Sequence, residues 1–582
     1  MNIIRKEKYT ANDLTKKYTA YDLTKVSFYS AVAKFSNKTT DECVARHMKT
    51  SHCLSKSYGR CIQTFHTAQQ LAEYLVNQTE PIPFLSNSEY VFDYERELLK
   101  RSSLKSLNDL PSLSLSKLTP HNVSNVENDT IRCSVGDVIT IRADLVANNG
   151  NPRTSGYDDV RGWMVDTTNR RAAANVVDLK NGSYDISFKC LWPLSKSRLN
   201  IGVAYPREYL YLTMLNNRKG ITRFTAGQFI KDCEQSEVTP CFATPNIPWP
   251  CLCNFTTFNN ASFYCGRPTK LTCSDLHSIQ SVPSIPDTFN KTTVEAQLMN
   301  SMSRSAYKTI IKYDLFLQTG EQKSPESLPS CRNISPKATW LTPHPQWYRD
   351  SRDQWQNLLC KVDNFSKRQL LKCFNNSKIM IIGDSNGLRT RDEFVSILKL
   401  GCHSKGTSFW NFHTSCKRPD STMELTFDPH EYHLYLLKNV EVYREGGVAY
   451  HIDTLPNTGR HLVLVHYYLH TMGAHLSVLQ NRLLLYKSAI KRALARNPLI
   501  VFAFRGPHIS QKQWTKNHAI IGDTQGIFYL SIVKDVFKDL LDNVFFLDGW
   551  GMSIAVENEE LHPSNSIPQA MAKLLISFVC ES

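Results

Sequence analysis

The sequence lacks the long apolar segments that mark membrane helices and secretory leaders. No run approaches about 18 consecutive apolar residues, so no transmembrane helix is predicted. Residues 1–30 contain no apolar core of about 7–15 residues, so no signal peptide is recognisable. They carry instead a nine-residue duplication, KYTANDLTK at 8–16 and KYTAYDLTK at 17–25, and two copies are too few for a solenoid. We interpret residues 1–120 as a poorly defined leader and linker, rich in Ser, Leu and Pro over 101–120.

Signals for nucleic-acid binding are also missing. The chain has no zinc-finger spacing, no aromatic platform for single strands and no visible nucleotide-binding motif. Its net charge of +15 comes from 68 Lys and Arg against 53 Asp and Glu, and the surplus is spread along the chain. Such a charge indicates either a generic basic surface or affinity for an anionic partner such as an acidic glycan. No nucleic-acid partner, metal or bound cofactor is predicted.

Cysteines and glycosylation sequons, in contrast, are abundant. The 17 Cys are many for a cytosolic protein. Asn-x-Ser/Thr occurs eleven times, about twice the number expected by chance. The sequons are at Asn37, Asn77, Asn122, Asn128, Asn181, Asn254, Asn260, Asn290, Asn333, Asn364 and Asn375. Together these features predict a disulfide-bonded protein of the secretory pathway, in the Golgi lumen or outside the cell. The missing signal peptide leaves three explanations open: a missing start, a replaced start, or loss of secretion with residence in the cytosol.

Residues 121–275 show short alternating runs that are typical of an antiparallel β-sandwich. Val138–Leu145 and Ser183–Cys190 alternate with period two, and Leu199–Tyr205 and Tyr209–Met214 predict further strands. A cysteine-rich tail follows, with Cys233, Cys241, Cys251, Cys253, Cys265 and Cys273. Zinc ribbons usually have two-residue spacers between their ligands, and no His completes a set here, so disulfides are favoured over zinc.

After a polar linker at 276–330, residues 331–582 alternate strand-like and helix-like segments. Strands are predicted at Lys378–Ile382, Leu462–Val465, Ile500–Phe504 and Val544–Leu547. Helices are predicted near Thr390–Leu400, Ala474–Arg496, Ile527–Leu541 and Ile567–Val579. This alternation predicts a three-layer α/β domain with a parallel sheet.

The sharpest local signal is Gly383-Asp384-Ser385, which follows the first of these strands. A Ser at the carboxyl end of such a strand lies where open α/β sheets bind ligands. Its backbone N–H, at the turn into a helix expected a few residues later, can stabilise an oxyanion. By itself the tripeptide is a weak signal, because a turn with Ser as a helix cap is the commoner case. His562 on a C-terminal loop strengthens the catalytic hypothesis, because an imidazole can accept the Ser proton.

Two carboxylates are candidates for the acid that orients His562. Glu559 lies three residues before His562, a spacing common in serine esterases on this kind of sheet. Asp548 lies at the end of a predicted strand and is the rival candidate. The acid should accept a hydrogen bond from the ring nitrogen that faces away from Ser385.

Ordered motifs from about Asn128 to Cys580 resemble the neurexophilin and PC-esterase domain (NXPE) family. In the first half they are Cys133-Ser-Val-Gly-Asp137, Asn181-Gly-Ser-Tyr184, Thr225-Ala-Gly-Gln-Phe229, Phe263-Tyr-Cys-Gly-Arg-Pro268 and Cys273. In the second half they are Trp355-Gln-Asn-Leu-Leu-Cys360, Cys373, Gly383-Asp-Ser385, Trp410-x-x-His413, His470, Asp548-Gly-Trp550 and His562-Pro563. The resemblance implies an immunoglobulin-like, neurexophilin-type sandwich followed by a GDSL/SGNH-type domain.

The resemblance further implies an O-acetyltransferase or esterase that acts on cell-surface glycans, with sialic acid as one implied acceptor and acetyl-CoA as a candidate donor. By motif position, Ser385 would be the nucleophile and His562 the base, and the resemblance favours Asp548 over Glu559 as the acid because the family keeps an Asp at that position. Asp384, Arg389, Trp410, His413 and His470 are further pocket candidates, and Trp410, His413 and His470 could equally serve packing under the sheet. The predicted disulfide candidates are Cys133, Cys190, Cys233, Cys241, Cys251, Cys253, Cys265, Cys273, Cys331, Cys360 and Cys373.

Two departures from the family pattern keep a non-catalytic alternative open. Arg389 stands four residues after Ser385 where the family has three, with Gly387 as the extra residue. Tyr468-Leu469-His470 replaces the family's Gly-Gln-His. The alternative is a secreted or cell-surface binding protein with a neurexophilin-like ligand or adhesion role.

Overall fold

The structure is a computed structural model, and it describes part of the chain. The described residues are 92–101, 104–121, 126–127, 129–218, 225–231, 235–242, 249, 251–256, 263–281, 292–304, 310–311, 316–319, 328–341, 345–404, 413–430, 447–472, 475–510 and 523–581. The duplication at 8–25, Cys233 and Trp410 lie outside them. So do six sequons, at Asn37, Asn77, Asn122, Asn128, Asn260 and Asn290.

The described residues form 25 strands and eleven α-helices. The strands are β1 Pro111–His121, β2 Val126–Glu127, β3 Thr130–Cys133, β4 Val138–Ala147, β5 Asp159–Asp166, β6 Arg171–Ala173, β7 Asn175–Asp178, β8 Ser183–Lys189, β9 Lys196–Tyr205, β10 Thr225–Lys231, β11 Gln235–Phe242, β12 Leu252–Asn254, β13 Tyr264–Gly266, β14 Leu276–Ser281, β15 Ile310–Ile311, β16 Phe316–Thr319, β17 Trp347–Arg349, β18 Trp355–Asn357, β19 Lys378–Gly383, β20 Gly401–Ser404, β21 Thr414–Lys417, β22 Glu424–Pro429, β23 Leu462–His466, β24 Val501–Arg505 and β25 Val544–Leu547. The helices are α1 Asp93–Arg101, α2 Arg207–Arg218, α3 Thr293–Arg304, α4 Ala338–Leu341, α5 Lys367–Cys373, α6 Ser385–Leu398, α7 Val448–Asp453, α8 Leu476–Arg496, α9 Gly526–Phe537, α10 Gly549–Ala555 and α11 Ser566–Val579.

Two sheets share an apolar core in the first half of the described chain. One has four antiparallel strands in the order β1-β4-β8-β7. The other has the order β18-β17-β6-β5-β9-β16-β3-β2, with β15 also paired to β9. Alternate residues of β4, such as Ile141 and Ala143, are buried because successive strand residues face opposite sides of a sheet. They pack with Leu199 and Ile201 of β9, so the core lies between the two sheets.

The first half differs from the sequence expectations in two ways. Tyr209–Met214, predicted as a strand, lies within α2, because the period of so short an apolar run does not separate strand from helix. The segments interpreted as linkers also contribute strands: β1 comes from 101–120, and β14, β15 and β16 come from 276–330. The alternating Ser and Leu of β1 look like low complexity, yet Leu113 and Ser116 are buried. The domain boundaries themselves remain a prediction.

Six disulfides bond twelve of the cysteines. They are Cys133–Cys190, Cys241–Cys265, Cys253–Cys273, Cys331–Cys360, Cys373–Cys580 and Cys402–Cys416. The second and third bond the cysteine-rich sheet β12-β13-β11-β10-β14, which confirms the prediction of disulfides in this segment. Cys402, Cys416 and Cys580 were not among the predicted candidates, and the candidate Cys251 takes no part in these six bonds.

A seven-stranded sheet lies in the second half, with the order β20-β21-β22-β19-β23-β24-β25. The strands from β22 to β25 in this order are parallel, and β20 and β21 form an antiparallel edge. Ile379 and Ile381 of β19 share a core with α6 and α11, while Met380 and Ile382 share a core with α7, α8 and α9. The sheet is therefore the middle of three layers, as the alternation of segments predicts. In the described part of the chain, no helix has both the length and the apolar character needed to cross a membrane.

The four strands and four helices predicted in this half lie close to their predicted positions, with one difference that matters for the site. Helix α6 begins at Ser385 and not near Thr390. Asp384 causes the early start, since its carboxylate accepts hydrogen bonds from the N–H groups of Asn386 (2.8 Å) and Gly387 (3.3 Å).

The two halves are joined by a sheet and by a shared core. Strands β17 and β18 extend the sheet of the first half by pairing with β6. Trp163 and Ala173 of β5 and β6 pack with Ile509, Ile554 and Ala555 of the second half. The first half therefore supports the chain segments that surround α10.

Candidate active site

Ser385 lies at the point where the order of the parallel strands reverses. Strand β19 precedes the others in the chain, and β22 and β23 flank it on opposite sides. In open α/β sheets, ligands bind in the crevice beyond the carboxyl ends of such strands. Gly383 allows β23 to approach β19 closely at this point, because a Cβ there would collide with the backbone carbonyl of His466 on β23. Ser385 thus sits at the carboxyl end of β19 and at the N-terminus of α6.

His562 is brought to Ser385 across 177 residues of sequence. Its Nε2 lies 2.8 Å from Ser385 Oγ, within hydrogen-bond distance. Burial and the guanidinium of Arg389 lower the pKa of His562, although Asp384 and Glu560 act in the opposite direction. A neutral imidazole at pH 7 can accept the Ser proton, so this pair has the geometry of a nucleophile and its base.

Neither candidate acid makes a hydrogen bond with His562 among the described residues. The carboxylate of Asp548 accepts from the N–H of Gly551 (2.9 Å) and so caps α10. Burial raises the pKa of Asp548, and the backbone N–H of Gly551 opposes that rise. Glu559 is exposed. Neither carboxylate therefore forms the expected hydrogen bond to the far side of the imidazole. Asp548 instead caps the helix that begins right after it.

Asp384 lies among buried imidazoles that the sequence analysis did not bring together. His466 Nε2 is 3.6 Å from Asp384 Oδ1. Burial acts to raise the pKa of Asp384, yet the imidazoles of His466, His470 and His430 hold that pKa well below its ordinary range. Burial also lowers the pKa of His466, to about 4. A fixed negative charge therefore lies directly beside Ser385 in the chain.

The remaining pocket candidates fall into two groups. His470 Nδ1 lies 2.6 Å from His430 Nε2, and both rings are buried near Asp384. His413 Nδ1 lies 2.6 Å from Asp428 Oδ1, near the end of β22. Arg389 donates to the side chain of Asn565, in the loop that follows His562. Trp410 lies outside the described residues.

Tyr468 stands at the position where the family pattern has glycine. Its side chain is fully buried, and its ring packs edge-on against His508 and Tyr529, with ring centroids 5.4 and 5.0 Å apart. Burial raises the pKa of Tyr468 well above its ordinary value. The hydroxyl has no hydrogen-bond partner among the described residues. The ring therefore fills space beneath the site without adding a polar contact there.

Sequence reasoning missed several polar residues next to the Ser385–His562 pair. Arg505 ends β24 and donates from Nη1 to the carbonyl of Asn386 and to Thr390 Oγ1, both at 2.8 Å. His508, three residues later, donates from Nε2 to the carbonyl of Leu561 (3.0 Å). The rule that located Ser385 could have found both, because they follow the carboxyl end of a parallel strand. Among the described residues, no cluster of three His, Cys, Asp or Glu is arranged to hold a metal ion.

Residues 355–580 match the family model described as "NXPE family member 4-like, C-terminal domain". The matched range contains Ser385, His562 and all seven strands of the second-half sheet.

Proposed function

We propose that this chain, whose residues 355–580 match an NXPE family model, is a glycan O-acyltransferase or esterase, most simply for acetyl groups, that acts in the secretory pathway. The single observation that carries the proposal is the 2.8 Å distance between Ser385 Oγ and His562 Nε2. The pair lies at the crevice where sheets of this strand order bind ligands.

The proposed reaction begins when Ser385 Oγ attacks the acyl carbonyl and His562 Nε2 takes the hydroxyl proton. A tetrahedral oxyanion forms, and the leaving group takes the proton from His562 as it departs. The acyl-Ser385 ester is then attacked by a sugar hydroxyl, which yields transfer, or by water, which yields hydrolysis. In this second step His562 takes the proton from the attacking hydroxyl and returns it to Ser385.

The N-terminus of α6 supplies the means to stabilise the oxyanion. The Asp384 carboxylate uses the N–H groups of Asn386 and Gly387, and among the described residues it leaves the N–H of Ser385 unbonded. That N–H lies at the N-terminus of a 14-residue helix, and the helix dipole stabilises negative charge there. The charge of Asp384 favours the imidazolium that His562 becomes during each step.

Three features support the compartment and the substrates. Six disulfides indicate an oxidising environment. The five described sequon residues, Asn181, Asn254, Asn333, Asn364 and Asn375, are all exposed and therefore open to glycosylation. We propose acetyl-CoA as the donor and a sialylated or otherwise anionic glycan as the acceptor, in keeping with the net charge of +15.

A second candidate function is a secreted or cell-surface binding protein without catalytic activity. The observation in its favour is that neither Asp548 nor Glu559 bonds to His562. The buried Tyr468 at the position of the family's glycine points in the same direction.

A fluorophosphonate probe distinguishes the two candidates. We expect the protein, secreted behind a working signal peptide, to be labelled at Ser385, and Ser385→Ala to abolish the labelling. His562→Ala should slow labelling by about 100-fold or more, because the general base is lost. Ser366→Ala is a matched control, since Ser366 is exposed at the N-terminus of α5. A folded, glycosylated wild type that neither reacts nor hydrolyses any acetyl ester would contradict the enzyme and favour the non-catalytic binding protein.

A further inference from the structure

The loop that carries His562 is fixed by side chains that donate hydrogen bonds to its backbone carbonyls. No carboxylate of the described residues bonds to the imidazole itself. His508 Nε2 donates to the carbonyl of Leu561, the residue directly before His562 (3.0 Å). Asn558 Nδ2 donates to the carbonyl of Glu560 (2.7 Å) and to that of Ile509 (2.6 Å). Two consecutive carbonyls before His562 are thus fixed by side chains that are themselves buried.

We infer that His508 is a positioning residue for His562, acting as a hydrogen-bond donor to the Leu561 carbonyl. The inference rests on the proposed function, because it gives His508 a role only where His562 serves Ser385. It also explains how His562 Nε2 faces Ser385 Oγ at 2.8 Å without the expected carboxylate.

The hydrogen bonds define the tautomer of His508. A carbonyl oxygen can only accept, so Nε2 must carry the hydrogen. Nδ1 is buried and has no hydrogen-bond partner among the described residues, so a proton there would be both charged and unpaired. Burial lowers the pKa of His508 well below its ordinary value, and Arg505 and His466 add to that effect. His508 is therefore a neutral, fixed donor over the physiological pH range.

The residue that follows His508 contacts both α10 and the sheet of the first half. The next residue, Ile509, donates its N–H to Ser553 Oγ on α10 (2.9 Å). Its side chain packs with Trp163 and Ala173 of β5 and β6. Asn386 Nδ2 is a second, longer donor to the Leu561 carbonyl, at 3.5 Å. Loss of the His508 donor should loosen the loop without releasing it.

The test compares rates of fluorophosphonate labelling at Ser385. We expect His508→Leu to lower the rate by about 10–100-fold, since small displacements of a catalytic group have effects of this order. His508→Gln should recover most of the rate, because the Gln amide places an N–H near the position of Nε2. His461→Leu is the matched control. His461 is also buried and also pairs through Nε2 with a carbonyl, that of Thr458 (2.8 Å). It lies at the amino ends of β19 and β23, whereas Ser385 follows the carboxyl end of β19.

A double-mutant cycle separates positioning from general loss of structure. In a His562→Ala background, His508→Leu should cause no further loss of labelling, because there is no imidazole left to position. An equal loss in both backgrounds, or a His508→Leu protein that is labelled like the wild type, would overturn the inference. A wild type that is not labelled at all overturns the proposed function, which is a different result.

A measurement on the unaltered protein covers the case in which His508→Leu does not fold. Histidine-selective ¹⁵N NMR of the wild type, assigned with His508→Gln, should show His508 neutral and protonated at Nε2 from about pH 5 to 8. The Nδ1–H tautomer, or protonation within that range, would contradict the inference because Nε2 would then not be a fixed donor.

Discussion

His562 is partly shielded from water and lies in the field of Arg389, and both factors favour its neutral form. A general base works only when it is unprotonated. A lowered pKa means that the imidazole gains its proton at a lower pH than an ordinary histidine does. The pH dependence of labelling therefore reports directly on the environment of this residue.

We expect the labelling rate of the wild type to fall on the acid side with a midpoint below about 6.5, the ordinary value for histidine. Arg389→Ala should move this midpoint upward, because the cation that disfavours the imidazolium is removed. Arg389→Lys keeps the charge and should move it less. A wild-type midpoint at or above 6.5 would show that the pKa of His562 is not lowered. The absence of an upward shift in Arg389→Ala would show that the charge of Arg389 does not affect that pKa.

Single residues also show where sequence reasoning ends. Ser385 and His562 could be predicted, because a strand end and a C-terminal loop converge in this kind of sheet. The orienting acid could not, since sequence spacing does not reveal that Asp548 is engaged as the cap of α10. His508 acts through a carbonyl, a contact that leaves no pattern in the sequence.

At the scale of one element, α6 shows how capping decides a boundary. The sequence predicts this helix only from about Thr390. The first turn contains Gly387 and carries little propensity for helix, so it is the bonds to Asp384 that extend α6 back to Ser385. Helix α2 illustrates the related ambiguity, because alternating Tyr and Leu suit a strand until tertiary packing selects the helix.

Gly387→Ala should stabilise the protein by about 0.5–1 kcal/mol, because Ala has the higher helix propensity. A Cβ at Gly387 would meet its nearest neighbours at 3.6 and 3.9 Å, which is ordinary contact. Gly383→Ala is the contrasting variant. It should destabilise by about 1–3 kcal/mol, since its Cβ would overlap the His466 carbonyl on the adjacent strand. Chemical denaturation measures both changes, and a destabilised Gly387→Ala would show that the extra glycine is required by the turn.

At the scale of the whole molecule, a buried ionic network connects the two halves. Arg161 of β5 pairs with Asp159 at 2.5 Å and with Asp523 at 2.9 Å. Tyr205 of β9 donates to Asp523 at 2.6 Å. The guanidinium carbon of Arg161 also lies 4.8 Å from the ring of Trp550, the second residue of α10. These groups are far apart in sequence, so no local pattern could have predicted that they meet.

Arg161→Leu should lower the free energy of unfolding by about 3–5 kcal/mol, because it leaves Asp159 and Asp523 buried without their cation. Arg142→Leu is the matched control, since Arg142 forms a two-point pair with Asp185 on neighbouring strands but remains partly exposed. Its loss should cost much less than the loss of Arg161, because solvent screens a partly exposed pair. Similar losses for the two variants would mean that the buried network contributes no more than a surface pair.

The disulfide Cys373–Cys580 closes a ring of chain around the whole second-half sheet. It bonds the end of α5 to the residue after α11, across 207 residues of sequence that include β19 to β25. A single backbone cleavage anywhere inside that ring would open it but would not divide the molecule. Ser385 and His562 would stay on one covalent body until a thiol reduced the bond, so the pair is protected against proteolytic separation by connectivity and not by folding energy alone.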